Sequence, residues 1–326
     1  MGRSIIALVL VALITACAST APPPPNQAPS ELVGVPFFPQ TEYQCGPAAL
    51  TTVLVHSGVA TSPDALTPQV YLPGRQGSLQ VELLAAARRA GRIPFTLEAA
   101  PEALLAELEA GNPVLVLQNL GLRSLPRWHY AVVVGYERAR ERVILRSGTE
   151  RRRQERWTRF IASWAKADYW GLVVPGAGKL PGSARAATIG PEIARQEGQL
   201  PPEVTLTAWE SALARWPEEP DILFATANAR RTAADQEAAA ALYRRLLLLA
   251  PGHMAGRNNF ADLLLEAGCP GAAAAALAPA HLALPGLAAN VRDAITRTAA
   301  AIASGKTENP TDPAHCRTLS GDPPSP

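Results

Sequence analysis

The sequence predicts an α+β domain followed by an all-α domain. Three observations carry this. Helical patterns open the folded part and apolar strand-like runs follow them, so helices and strands come in blocks and not in βαβ alternation. A stretch rich in glycine, proline and alanine, 176–203, then breaks the pattern. Beyond it the chain is alanine-rich and reads as helix to about residue 303.

Each element has its own signal. "VGVPFFPQ" (33–40) is a short extended lead-in. A first helix spans 45–58: Pro47 sits in its first turn, where a missing N–H costs little, Ala48, Ala49, Leu50, Val53 and Leu54 form an apolar stripe, and Gly58 stops it. A second helix covers 78–90 with Ser78 as its cap, and a third 101–110, ended by Gly111 and Pro113. Continuous apolar runs at 113–119, 128–137 and 142–148 read as strands, the last two joined as a hairpin through 137–141. A short helix at 157–166 leads to a last strand at 169–175. The stretch 176–203 reads as a linker.

The whole chain has 326 residues, 48% hydrophobic and 18% charged, with a net charge of +2. That is too long for one minimal domain, and nothing in the charge argues for nucleic acid. Prolines cluster in 21–31 and 321–326, which read as tether and tail. Arg3 and the apolar run 4–16 form a secretory signal; thirteen residues fall short of the roughly 20 that span a bilayer. The run ends in "LITAC", which resembles the lipobox of bacterial lipoproteins. The resemblance implies cleavage before Cys17 and lipidation of its thiol. With Ala18 following, it implies an outer-membrane anchor facing the periplasm. The competing reading is an ordinary signal peptide cut near Cys17. The expected division is signal 1–16, lipidated tether 17–32, α+β domain 33–175, linker 176–203, helical repeats 204–303 and tail 304–326.

The envelope is oxidising, and the chain has four cysteines. If lipid takes Cys17 and Cys45 stays free, Cys269 and Cys316 remain to pair and would pin the tail to the helical domain. In that domain "PDILFATANARRTAADQEAAAALYRRLLLLAP" (220–251) carries Ala227, Ala239, Tyr243 and Pro251 at offsets that resemble the tetratricopeptide pattern. Phe260, Ala261, Ala273 and Leu277 repeat it, and 206–217 precedes it as a partial unit. The other reading is a generic helical bundle. Two and a half repeats lean on the first domain or on a protein partner.

For chemistry, the stretch "EYQCGPAAL" (42–50) stands out. A thiol nucleophile needs thiolate character, a base, a group to orient the base, and oxyanion donors. An unperturbed cysteine is only roughly 3% thiolate at pH 7. Cys45 begins a helix, where the dipole favours an anion, and a nearby imidazolium would favour it further. Together these can make the thiolate dominant. His129 is the base candidate, because it alone of five histidines opens an apolar strand in the same domain, between Trp128 and Tyr130. Gln40, five residues before Cys45, is the oxyanion-donor candidate. Gln44 is nearer but projects away from its neighbour.

"PFFPQTEYQCGPAAL", then about 80 residues, then "HYAVVVGYE" and a closing hairpin strand resemble cysteine peptidase family 39 over about residues 33–175. This is the papain-like bacteriocin-leader peptidase family of ABC exporters, with stand-alone relatives. The resemblance implies a papain-like fold and peptide hydrolysis through a thioester, with Cys45, His129 and Gln40 in the catalytic roles. One position departs. The family has an aspartate where this chain has Ser147, which orients an imidazole but stabilises its cation less. Asn119 or another residue could supply the third group; Glu137 and Glu150 look like exposed loop residues. The arginine run 146–159 reads as a solvated edge with Glu150 and Glu155 interleaved, or else as a patch for an anionic substrate. No metal-ligand spacing or phosphate loop is present, and no cofactor is expected. Three functions remain open: an envelope-anchored thiol peptidase acting on a peptide or protein, a degenerate binding scaffold, and a peptidyl or acyl transferase using the same pair.

Overall fold

The computed structural model describes residues 31–39, 44–304 and 313–321. The expected signal 1–16, Cys17 and Gln40 lie outside the described residues.

Strands β1 (Phe95–Thr96), β2 (Val114–Asn119), β3 (Trp128–Glu137), β4 (Arg142–Ser147), β5 (Glu150–Arg156) and β6 (Gly171–Val173) form one antiparallel sheet. Its order is β1-β6-β2-β3-β4-β5. Helices α1 (Cys45–His56), α2 (Pro63–Val70) and α3 (Gln80–Arg89) cover one face, and α4 (Pro101–Glu109) and α5 (Trp157–Trp164) the other. The period-2 alternation of strands sorts the apolar residues. Leu115, Leu117, Val132 and Ile144 pack with Leu50, Val53 and Leu83. Val114, Val116, Val133 and Leu145 pack with Leu104, Leu108, Phe160 and Trp164. Covered on both faces, β2 is buried along its whole length, which is why its sequence is a continuous apolar run.

The second half is helical: α6 (Ala186–Ala194), α7 (Pro202–Arg215), α8 (Pro220–Thr232), α9 (Gln236–Leu249), α10 (Met254–Glu266), α11 (Pro270–Leu282), α12 (Ala289–Ala303) and α13 (Pro313–Ser320). From α6 to α12 each helix packs on the next. Ala227, Ala239, Ala240, Ala261 and Ala273 are fully buried at the crossings, where a larger side chain would force the axes apart. A disulfide joins Cys269, just before α11, to Cys316 on α13.

Several expectations need correction. Residues 31 and 32 are not tether: Glu31 pairs with Arg146 (3.0 Å) and Arg152 (2.6 Å), and Leu32 N–H donates to the Val134 carbonyl. The supposed linker 176–203 contains α6, whose Ile189 and Ile193 share a core with Phe95 and Val173 of the sheet and with Trp209 and Ile222 of α7 and α8. Its small residues permit close packing rather than freedom. The tail contains α13, with Leu319 buried against the helical core. Ser78 does not cap the second helix, whose N-cap is Leu79. Strand β5 was not anticipated, because "ERRRQER" has no apolar alternation; it is held by its ladder to β4 and by the pairs of Arg152 with Glu31 and Glu137. Helix α2 did carry a start signal, since Ser62 accepts from Ala65 N–H and Pro63 takes the first helical position.

Candidate active site

Cys45 is the first residue of α1, with Gln44 as N-cap making no side-chain capping bond. The helix behind it is buried from Gly46 to Leu54. Its hydroxyls are satisfied internally, Thr51 donating to the Pro47 carbonyl and Thr52 to that of Ala48. Gly46 is required here: a Cβ would lie 2.2 Å from Ser78 Oγ. The nucleophile's helix is therefore seated against the segment that leads into α3.

His129 lies near the start of β3, and Ser147 ends β4. Their side chains meet, with His129 Nε2 2.8 Å from Ser147 Oγ. The thiol meets the main chain of the same strand. Leu117 pairs with Tyr130 but donates its N–H the other way, to Trp170, so the Tyr130 amide points toward the β4 side. The ladder with β4 begins only at Val132–Arg146. In the space so left, the Tyr130 amide, with those of Gly46 and Cys45, lies near enough to the Cys45 sulfur to favour its anion. No signal in residue type could have exposed these donors, because they are main chain.

Cys45 and His129 line one cleft of about 810 Å³. Residues 75–80 form one wall and 126–130 the other, with Trp128 half exposed on the rim. Among the described residues, Asp168 is its only carboxylate.

Burial governs the electrostatics. It pushes the Cys45 thiol above its ordinary range, against the three amide donors that favour the anion. It also holds the His129 imidazole down to about 4, aided by the positive charges of Arg153 and Arg127. Burial thus opposes the helix start, favouring the thiol at Cys45 and the neutral imidazole at His129.

Other candidates for the third group lie elsewhere. Asn119 is buried, but its amide closes the β2–β3 loop: Oδ1 accepts from Gly121 and Arg127 N–H, and Nδ2 donates to the Leu122 carbonyl. Glu137 is not a free loop residue; it ends β3 and pairs with Arg152. Glu150 opens β5 and is exposed. Of the remaining histidines, His56 faces the Gly111 carbonyl and His253 caps α10, both remote roles.

Residues 32–171 match the Peptidase_C39 like family. The C39-like domain is therefore the sheet half described above, and it holds Cys45, His129 and Ser147. A solved structure from Bacillus anthracis, titled as that of a C39-like peptidase, is 15% identical, with a TM-score of 0.38 over 44% of this chain and 96% of its own. The peptidase domain of Streptococcus ComA, a bifunctional ABC transporter of a quorum-sensing pathway, is 22% identical, with a TM-score of 0.36 over 43% and 98%. No curated protein matches the chain.

Proposed function

We propose that this protein is an envelope-anchored thiol peptidase whose C39-like domain cleaves a peptide or protein through a Cys45 thioester. The observation that carries the reading is the His129–Ser147 bond in the cleft that also holds Cys45. With Nε2–H donated to Ser147 Oγ, Nδ1 keeps the lone pair and accepts the thiol proton as sulfur attacks the scissile carbonyl. The C–S bond forms, the C–N bond breaks, and the leaving amine takes the proton from His129. Water then attacks the thioester, giving up its proton to the same imidazole; the C–S bond breaks, the sulfur takes that proton back, and the acid leaves. The Cys45 amide and the Gln40 side chain serve the oxyanion. Cys17 carries the lipid anchor at the outer membrane, and the helical half, read as tetratricopeptide-like, holds a partner or the substrate.

Starting from a neutral pair, the proton moves during attack and not before it. Alkylation of Cys45 should therefore show no low-pH plateau, while peptide cleavage by the lipid-free chain, read by mass spectrometry on a mixed peptide library, should vanish in Cys45→Ala and in His129→Ala. Cleavage that survives either substitution would sink the reading. Among the described residues His129 bonds a serine and no carboxylate, which favours a second reading, a degenerate binding domain. It would be chosen if no peptide is cut but one is retained equally by wild type and Cys45→Ala.

A further inference from the structure

The arginine run has a feature that a solvated edge does not explain. Residues 138–159 contain nine arginines and three glutamates, a net +6, whereas the whole chain is +2, so the rest carries −4. Within this run Arg142 of β4 and Arg156 of β5 are direct cross-strand partners. Their side chains leave the same face of adjacent strands about 5 Å apart at Cβ, an arrangement that like charges destabilise. Among the described residues neither has a carboxylate within ion-pair distance. Three of the nearby acids are already engaged, Glu137 with Arg152 and Arg140, Glu150 with Arg153, and Glu155 with Arg159, and Glu141, next to Arg142 in the chain, is the fourth.

Both arginines line two adjoining hollows, of about 580 and 490 Å³. Arg153 and Arg159 join them in the first, and Arg140 in the second. Five arginines thus face two glutamates, Glu141 and Glu155. The first turn of α5 also opens here, with Arg156 as N-cap, no side-chain capping bond and the Thr158 hydroxyl in the wall. The site is remote from the nucleophile. Glu137 pairs with Arg142, eight strand residues from His129, which is roughly 25 Å.

We propose that this end of the sheet binds a phosphate-type oxyanion, with Arg142 and Arg156 clamping it between their guanidinium forks. Two facing guanidiniums need more than one negative charge held close together. A phosphomonoester or pyrophosphate supplies that, and its oxygens match the planar fork. A single carboxylate does not. The phosphate can come from a soluble anion or from a lipid headgroup, and the assay distinguishes the two.

The test uses the lipid-free chain at low ionic strength. Inorganic pyrophosphate is titrated by calorimetry into wild type, Arg142→Gln and Arg156→Gln. The expected result is one saturable site in wild type, weakened at least tenfold in each variant. Phosphatidylglycerol vesicles are assayed in parallel by co-sedimentation. Vesicle binding lost in both variants, without pyrophosphate binding, assigns the headgroup as the source. Equal binding to all three proteins, binding of neither probe, or tighter binding of polyglutamate than of pyrophosphate would overturn the proposal. A second measurement covers folding. Without anion, each single substitution should raise Tm by about 1–2 °C through relief of the repulsion, and the double variant should add nothing further. Loss of Tm in both singles would mark the arginines as structural and end the argument.

Discussion

The two halves of the molecule bury polar groups to different ends. In the sheet half, beside Thr51 and Thr52 that serve their own helix, several are turned toward one another across elements: His129 on Ser147, Gln118 on Ser163, and Arg146 on Glu31. In the helical half the buried hydroxyls mostly serve their own helix, as Thr205 does with the Pro202 carbonyl and Thr226 with that of Ile222. The packing there is alanine and leucine, closed by a disulfide. Groups that bond across elements fix a geometry that chemistry can use. Groups that bond within one helix only allow that helix to be buried. The difference predicts that damage to one half should read out differently from damage to the other.

The largest effect should come from Cys45→Ala. Removing the nucleophile should lower kcat/KM for any cleaved peptide by about 10⁴-fold or more, while Tm changes little, since Cys45 only fringes the sheet core. Unchanged cleavage would place the chemistry elsewhere. Next, reduction of Cys269–Cys316 releases a cross-link 47 residues apart, worth about 4 kcal/mol in the chain-entropy account. Melting with and without reductant should show the helical half losing stability while Cys45 keeps its alkylation rate. A parallel loss at Cys45 would show the halves to be one cooperative unit.

Glu107 tests the joint between them. It is fully buried on α4 and accepts from Asn112 Nδ2 (2.8 Å), Gly182 N–H (2.9 Å) and Ser183 N–H (2.9 Å), so it holds the start of the segment that carries α6. Glu107→Ala leaves these donors unmatched and should cost about 3 kcal/mol by chemical denaturation. A cost under about 1 kcal/mol would mean water replaces the carboxylate.

Much of this was legible before any coordinates. The α1 stripe and the three apolar strands follow from residue type and spacing, because periodicity reports burial directly; Cys45 and His129 were singled out by residue type and position, and Ser147 only by the family resemblance. Three things were not. The edge strand β5 hides because main-chain pairing and arginine–glutamate pairs hold it, not an apolar alternation. The packed segment around α6 hides because its glycines and prolines look like punctuation until Ile189 and Ile193 are seen to meet Trp209. The balance of charge at the site hides because the helix start is visible in sequence, whereas the burial that opposes it is a property of the folded surroundings.

Ser147 gives the smallest and sharpest test. Its hydroxyl orients His129 through one neutral hydrogen bond at 2.8 Å, so Ser147→Ala should cost about 1 kcal/mol, within about tenfold in kcat/KM. The pH profile separates orientation from charge. With the imidazole held down to about 4, wild-type cleavage should stay level across neutral pH and fall only as pH drops through that value, where His129 gains its proton and can no longer accept one from the thiol. The same depression has a stability signature. An unfolded histidine titrates near 6.5, so the stability is complete above that pH and is lost toward pH 4, by at most about 3 kcal/mol. Ser147→Asp places a carboxylate against the imidazole, which favours its cation. The acid limb of cleavage should move to higher pH, and Cys45 should become more reactive to iodoacetamide near pH 6, as an ion pair begins to form. If Ser147→Asp leaves both profiles unmoved while Ser147→Ala alters them, the serine controls His129 by position alone and burial by itself sets the charge of the pair.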